Sequence, residues 1–205
     1  MERKTQRETD LEKGSLSYLS KKRSKKGLTR RPLFLVRVKS LVRHTMAVDM
    51  FIKIDTVDGE AHDSKHKKEI DVLSWSWGMS NNGSAHVGAG AGSGKVHVQD
   101  LTFTKWVDTA TPQLALACCS GKHFKDAVLV VRKAGNKPVE YIKIKMDVVL
   151  ISAISTGGSG AEDRLTENVT LNFSKVSLDY VPQDDKGAPG TAVPMTWDIA
   201  ANTNN

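Results

Sequence analysis

Several groups of residues have the side chains for chemistry, and the spacing within each group decides what it could do. Glu162, Asp163 and Glu167 are close enough to act as paired carboxylates for acid–base work. Arg164 stands among them, however, and is expected to pair with them and pin a loop. His62 and His66, near Asp63 and Glu69, have the i, i+4 spacing that would place two metal ligands on one helical face. The polar stretch 55–68 has no helical pattern and offers no third ligand, so it reads as a solvated loop. Gly83, Gly88, Gly90, Gly92 and Gly94 precede Lys95 and invite a phosphate-loop reading. That pattern fails, because Ala89 stands where its first glycine belongs and Val96 where Ser or Thr must follow the lysine. A dinucleotide fingerprint fails as well: Lys95 occupies its last glycine position, and a strand follows where a helix N-terminus is required.

Trp75 and Trp77 could stack on a sugar or a base, but at strand spacing they supply a large apolar surface to one face. Cys118 and Cys119 are adjacent; joining them would force an eight-membered ring, so they read as reduced thiols. His123 has no partner that the sequence places, and reads as a surface or capping residue. No Ser/His/Asp, Cys/His or metal-ligand arrangement remains. The expectation is a protein that is not an enzyme and carries neither cofactor nor metal.

The elements that would position these residues are mostly strands. Val48, Met50, Ile52 and Ile54 alternate with Asp49, Phe51 and Lys53, which predicts a strand with one buried face. From Glu69 to Met79, Leu73, Trp75 and Trp77 are expected on one face, with Val72, Ser74 and Ser76 on the other. A sheet that is bulky on one side and small and hydrophilic on the other suits a wall between a core and water. Val96 to Val107 reads as a third strand that changes phase near Asp100. Thr111 as cap, Pro112 in the first helical position and Gly121 just past the end predict one helix, with Leu114, Leu116, Ala117 and Cys118 as its apolar stripe. So short a helix is marginal alone and must pack on the sheets.

Ala127–Lys133 and Val139–Ile154 read as strands joined by a turn at Gly135–Pro138. The second would span over ~45 Å and is expected to leave edges open to another chain. Val169, Leu171 and Phe173 alternate in one phase, Val176, Leu178 and Tyr180 in the other. That shift predicts a bulge, or a strand whose two ends bury opposite faces. A last strand carrying Trp197 is expected within Ala192–Ile199. The fold class is therefore mostly β with one packed helix.

The net charge of +7 is uneven. Residues 1–45 hold 14 Lys/Arg against 4 Asp/Glu, and residues 46–205 hold 16 against 19. The main domain lacks the electrostatic footprint of a nucleic-acid binder. No run approaches the ~18–20 apolar residues of a spanning helix. The leader, with Lys21-Lys22-Arg23-Ser24-Lys25-Lys26, has a composition that stays disordered, and reads as a basic tail, a targeting segment, or sequence translated upstream of a start at Met46. The domains are thus 1–45, a basic extension, and 46–205.

The run Gly157-Gly-Ser-Gly-Ala-Glu-Asp-Arg-Leu-Thr-Glu-Asn-Val-Thr-Leu-Asn-Phe173 resembles a segment of the Hcp (haemolysin-coregulated protein) family, the tube protein of bacterial type VI secretion. Met46-Ala-Val-Asp-Met-Phe-Ile-Lys-Ile54, Trp75-Ser-Trp-Gly78 and Gly121-Lys-His123 are similar to further segments of that family in the same order. Ala161 in place of a frequent glycine, the Cys118-Cys119 pair and the leader depart from the pattern.

The resemblance implies an Hcp-like β-barrel or two-sheet domain that assembles into hexameric rings. Rings would stack into a tube beneath a spike of the VgrG type. A contractile sheath would drive the tube out of the bacterial cytoplasm, into the medium or a target cell, with small effector proteins in its lumen. On that reading Ser74 and Ser76, facing away from the tryptophans, are lumen-wall candidates. Gly83, His86, Gly88, Gly90, Gly92 and Gly94 are candidates for ring stacking, and Gly157, Gly158, Glu162, Asp163 and Arg164 for subunit contact. Neither nucleic acid nor membrane insertion is expected. The alternative is a monomeric β-sandwich binding module that would use its tryptophans for a carbohydrate or protein ligand.

Overall fold

The computed structural model describes residues 48–81, 95–133, 138–160 and 163–204. The leader 1–45, the six ring-stacking candidates from Gly83 to Gly94 and Glu162 lie outside the described residues.

The strands are β1 (Val48–Ile54), β2 (Ile70–Ser76), β3 (Met79–Ser80), β4 (His97–Val98), β5 (Leu101–Trp106), β6 (His123–Lys133), β7 (Val139–Gly157), β8 (Thr166–Tyr180) and β9 (Val193–Asp198). One helix, α1 (Thr111–Ser120), lies between β5 and β6. The main sheet runs β5-β2-β1-β6-β7-β8-β9, and β5 also pairs with β8. That second pairing closes six antiparallel strands into a barrel, in cyclic order β1-β2-β5-β8-β7-β6. β8 serves two neighbours along its length: Thr166–Leu171 pairs with β5, and Lys175–Tyr180 pairs with β9. β3 and β4 form a separate short ribbon.

Inward side chains of all six barrel strands form the core, among them Ile52, Ile70, Phe103, Leu129, Ile144 and Leu171. Ala110, Leu114 and Ala117 of α1 join it. Gly121, at φ 66°, ends the helix in the left-handed conformation that glycine adopts without strain.

The structure revises the sequence reading within several strands and at the helix. In β2 the register slips between Val72 and Ser74, so Val72 is buried and Leu73 is exposed. This bulge moves Trp75 and Trp77 into phase with Val72, and Leu73 does not share their face. At the middle of β7–β8 the buried phase changes on both strands together, from Met146 to Val149 and from Phe173 to Val176. Register is continuous there, and the change is made by Val148 at φ 55°.

β6 covers Val139–Leu150 of β7 on one side and β8 covers Ile142–Gly157 on the other, so among the described residues the expected open edge is confined mainly to the β6 side beyond Leu150. Among the described residues, β9 is the barrel-sheet strand with a neighbour on one side only. Thr111 makes no side-chain cap; Asp108 Oδ1 accepts the Ala110 N–H at 2.9 Å in its place. Leu116 is 69% exposed and lies off the helix's buried stripe.

Candidate functional site

Where β2, β5 and β8 run side by side, their outward residues are small and polar. Register brings Ser74 opposite Thr104 and Thr104 opposite Asn168, and in the next row Ser76 opposite Thr102 and Thr102 opposite Thr170. The groups bond to each other in a ladder. Ser74 Oγ donates to Thr104 Oγ1 at 3.0 Å, and Thr104 Oγ1 donates to Asn168 Oδ1 at 2.7 Å. The Thr102 and Thr170 hydroxyls are 3.1 Å apart. Beyond them Asp100 accepts from Ser152 Oγ at 2.7 Å and from Asn172 Nδ2 at 2.8 Å. The result is a wall whose hydrogen-bonding capacity is largely satisfied from within. Such a surface stays wetted and offers no apolar patch to hold a partner.

Ser74 and Ser76 therefore lie on a polar outer face, as expected. The structure adds Thr102, Thr104, Asn168, Thr170, Asn172 and Ser152 to that face, and the even-numbered polar alternation on β5 and β8 is the signal for most of them.

The wall ends at the β7–β8 hairpin, where Ser155, Gly157, Gly158, Thr166 and Asn168 line an open polar depression. A Cβ on Gly158 would run into the Leu165 side chain, whereas Gly157 has open space around it. Arg164 is exposed and lies over the Trp106 ring, 4.8 Å from its centroid. Among the described residues it has no ion pair with Asp163 or Glu167, and the third expected partner, Glu162, lies outside them. Glu167 is instead buried on Lys105.

That burial forms the most closely packed charge cluster of the barrel. The Lys105 side chain is 0% exposed; its Nζ lies 2.6 Å from Asp108 Oδ1 and 2.6 Å from Glu167 Oε1, and donates to Trp106 O at 2.8 Å. Thr111 Oγ1 donates to Glu167 Oε1 at 2.7 Å. The ammonium thus joins β5, the start of α1 and the start of β8. Both charges occupy inward phases of their strands, beside Phe103 and Val169, and a charge at an apolar phase was the available sign.

The loop 55–69 is packed down, contrary to its reading as a solvated segment. His66 is buried and stacks on Phe51, ring centroids 4.4 Å apart. Arg132 holds Asp63 through two bonds, of 2.6 and 3.0 Å, and Asp49 at 2.9 Å. The Arg132 hydrogen bond, helped by the Lys65 backbone N–H, keeps the Asp63 carboxyl well below the usual carboxylate range. Glu69 Oε2 holds His66 Nδ1 at 2.9 Å. Among the described residues no group of three His, Cys, Asp or Glu is placed to hold a metal.

Comparison with known proteins accounts for this architecture. The sequence model of the family described as "Type VI secretion system effector, Hcp" matches residues 51–180. Protein hcp1 of Pseudomonas aeruginosa is 59% identical over 159 residues, covering 77% of this chain and 98% of that protein. The solved structure of a type six secretion system protein superposes with a TM-score of 0.73 at 34% identity, over 78% of this chain and 100% of the other. Hcp1 from Salmonella typhimurium does so with a TM-score of 0.64 at 37% identity, over 78% and 100%. The monomeric binding-module alternative has no support in these matches. With its six-stranded closed barrel, extra strand and single helix, the chain belongs to the Hcp family of type VI secretion proteins.

Proposed function

We propose that residues 46–205 form hexameric rings that stack into the secretion tube, with the β2-β5-β8 wall lining the lumen. The observation that carries this reading is the self-satisfied ladder of Ser74, Thr102, Thr104, Asn168 and Thr170. A lumen must let effectors pass and stay wetted, and a neutral polar wall without apolar patches does both. The work of the subunit is mechanical: bacterial cytoplasmic rings stack beneath a VgrG-type spike, and a contracting sheath expels the tube with effectors inside. β7 is paired on both edges from Ile142 to Leu150, so ring contacts would fall to loops, to the β7 edge beyond Leu150 and to the free side of β9. Gly157, Gly158, Glu162, Asp163 and Arg164 remain the subunit-contact candidates. The 83–94 segment with Gly83, His86, Gly88, Gly90, Gly92 and Gly94 remains the ring-stacking candidate.

Native mass spectrometry and negative-stain microscopy of residues 46–205 beside the full chain test the assembly. Six-subunit rings with an open centre are expected, and a monomer at micromolar concentration would refute it. Ser76→Gln, which narrows the wall without touching the core, is expected to leave rings intact and to release effectors. Unchanged retention would remove Ser76 from the lumen. The leader is proposed to lie upstream of the working start, so mass spectrometry of the native protein is expected to find no peptide N-terminal to Met46.

A further inference from the structure

On the opposite side of the barrel from the polar wall, the outward faces of β1, β6 and β7 form a different surface. Register sets Lys53 beside Val128 and Lys143 beside Val130, so two valines form a floor between two exposed lysines. Lys65 and His66 from the 55–69 loop, with Glu69 and Glu140, complete this depression. Lys68 and Lys145 nearby are matched by Asp58 and Asp147, both at 3.0 Å. Among the described residues Lys53, Lys65 and Lys143 have no such partner. The His66 ring is buried on Phe51 with Nδ1 held by Glu69, yet Nε2 is buried without a hydrogen-bond partner. Glu140 Oε1 lies 3.6 Å from it. Arg132, Asp63 and Asp49 brace the loop from behind, so the groove is preformed.

We propose that this groove docks an acidic segment of a partner protein, with carboxylates on Lys53, Lys65 and Lys143 and an aliphatic side chain on the Val128–Val130 floor. The proposal rests on the lumen reading for one point only: a face opposite the wall looks outward from the ring, so the partner would be a body that surrounds the tube. Glu69 and Glu140 stand among the lysines and space the positive charges, which suits the separated carboxylates of a peptide and opposes the dense charge of a polyphosphate or a lipid surface. Mixed charge above an apolar floor suits a peptide, and such a charged rim steers encounter as well as fixing register.

The test measures fluorescence anisotropy of a labelled short peptide alternating glutamate and valine, titrated with the full-length protein. Saturable, salt-sensitive binding is expected. Lys53→Glu with Lys143→Glu should weaken it about tenfold or more, while Lys186→Glu, on another loop, should leave it unchanged. The proposal is overturned if the glutamine–valine peptide binds equally well, if Lys186→Glu weakens binding as much, or if a short DNA duplex or phosphatidylserine vesicles bind more tightly. Native mass spectrometry of the same samples separates the two readings. Rings that persist in the double variant while peptide binding is lost support docking, and rings that vanish make this face a subunit contact and overturn it. Peptide binding by a wild-type protein that forms no rings would leave the groove standing and remove the lumen reading.

Discussion

Replacing Lys105 by methionine removes a cation that the barrel has fully desolvated. The side chains of Lys105, Glu167 and Asp108 are 0%, 0% and 6% exposed, and each carboxylate lies 2.6 Å from Nζ. Breaking a buried pair by deleting one partner costs about 3–5 kcal/mol, since the remaining charge is left uncompensated. Two carboxylates are left here, but each keeps one donor: Thr111 Oγ1 on Glu167 and the Ala110 N–H on Asp108. The lower half of that range, about 3–4 kcal/mol, is expected. For a domain of this size it lowers Tm by roughly 6–16 °C. Glu167→Gln keeps the shape and the acceptor for Thr111, and leaves Lys105 paired with Asp108, so about 1–2 kcal/mol is expected. The double variant should then cost less than the sum of the singles by about 1.5 kcal/mol or more. The assay is thermal and urea unfolding at one fixed protomer concentration, because assembly makes stability concentration-dependent. A Lys105→Met loss below about 1 kcal/mol, or additivity within about 0.5 kcal/mol, would refute the view that this cluster ties β5, α1 and β8 together.

Gly59 is buried with its N–H on Lys68 O at 2.8 Å, and a Cβ there would collide with the Glu69 carbonyl. Gly59→Ala should cost about 1–3 kcal/mol and speed hydrogen exchange at Ala61 and Lys68; a neutral result would show that the loop yields easily. Asp63 is held below its unfolded value by Arg132, so its contribution is complete above the unfolded pKa of about 3.9 and is lost as pH falls below it. Hydrogen exchange in 55–69 should therefore rise on the acid side before the barrel melts, and Asp63→Asn should abolish that pH dependence. Val148 is β-branched, 53% exposed and at φ 55°. Val148→Asn, which tolerates that conformation, should raise Tm and stabilise by about 1 kcal/mol; a lowered Tm would mean that the valine side chain outweighs the strain.

The parts of the fold legible in the sequence were those governed by local pattern. β1, β9, the helix limits and the two phases of β8 follow from alternation and from Pro112 and Gly121, because side-chain period and backbone preference act over a few residues. Ser74 and Ser76 were readable for the same reason. The bulge at Val72–Ser74 was not, since a one-residue slip depends on what β5 presents across the sheet. Leu73, alike in hydropathy to its neighbours, gave no sign of which side of that slip it would occupy.

What the sequence determined by itself is a strand-rich domain with one helix, one bulky and one polar face, and the motifs of its family. Tertiary structure decided the pairings. It closed β5 onto β8, and it set β6 and β8 against β7 so that most of that strand's two edges are covered. It gave Glu167 to Lys105 and left Arg164 on Trp106. It also folded 55–69 onto Phe51, turning a polar loop into the wall of a groove. Each of these is a contact between residues far apart in the chain, whose free energy depends on burial that no local window specifies. Lys105 and Glu167 are two charges in a sequence; inside the closed barrel, with water excluded, each becomes the partner the other requires.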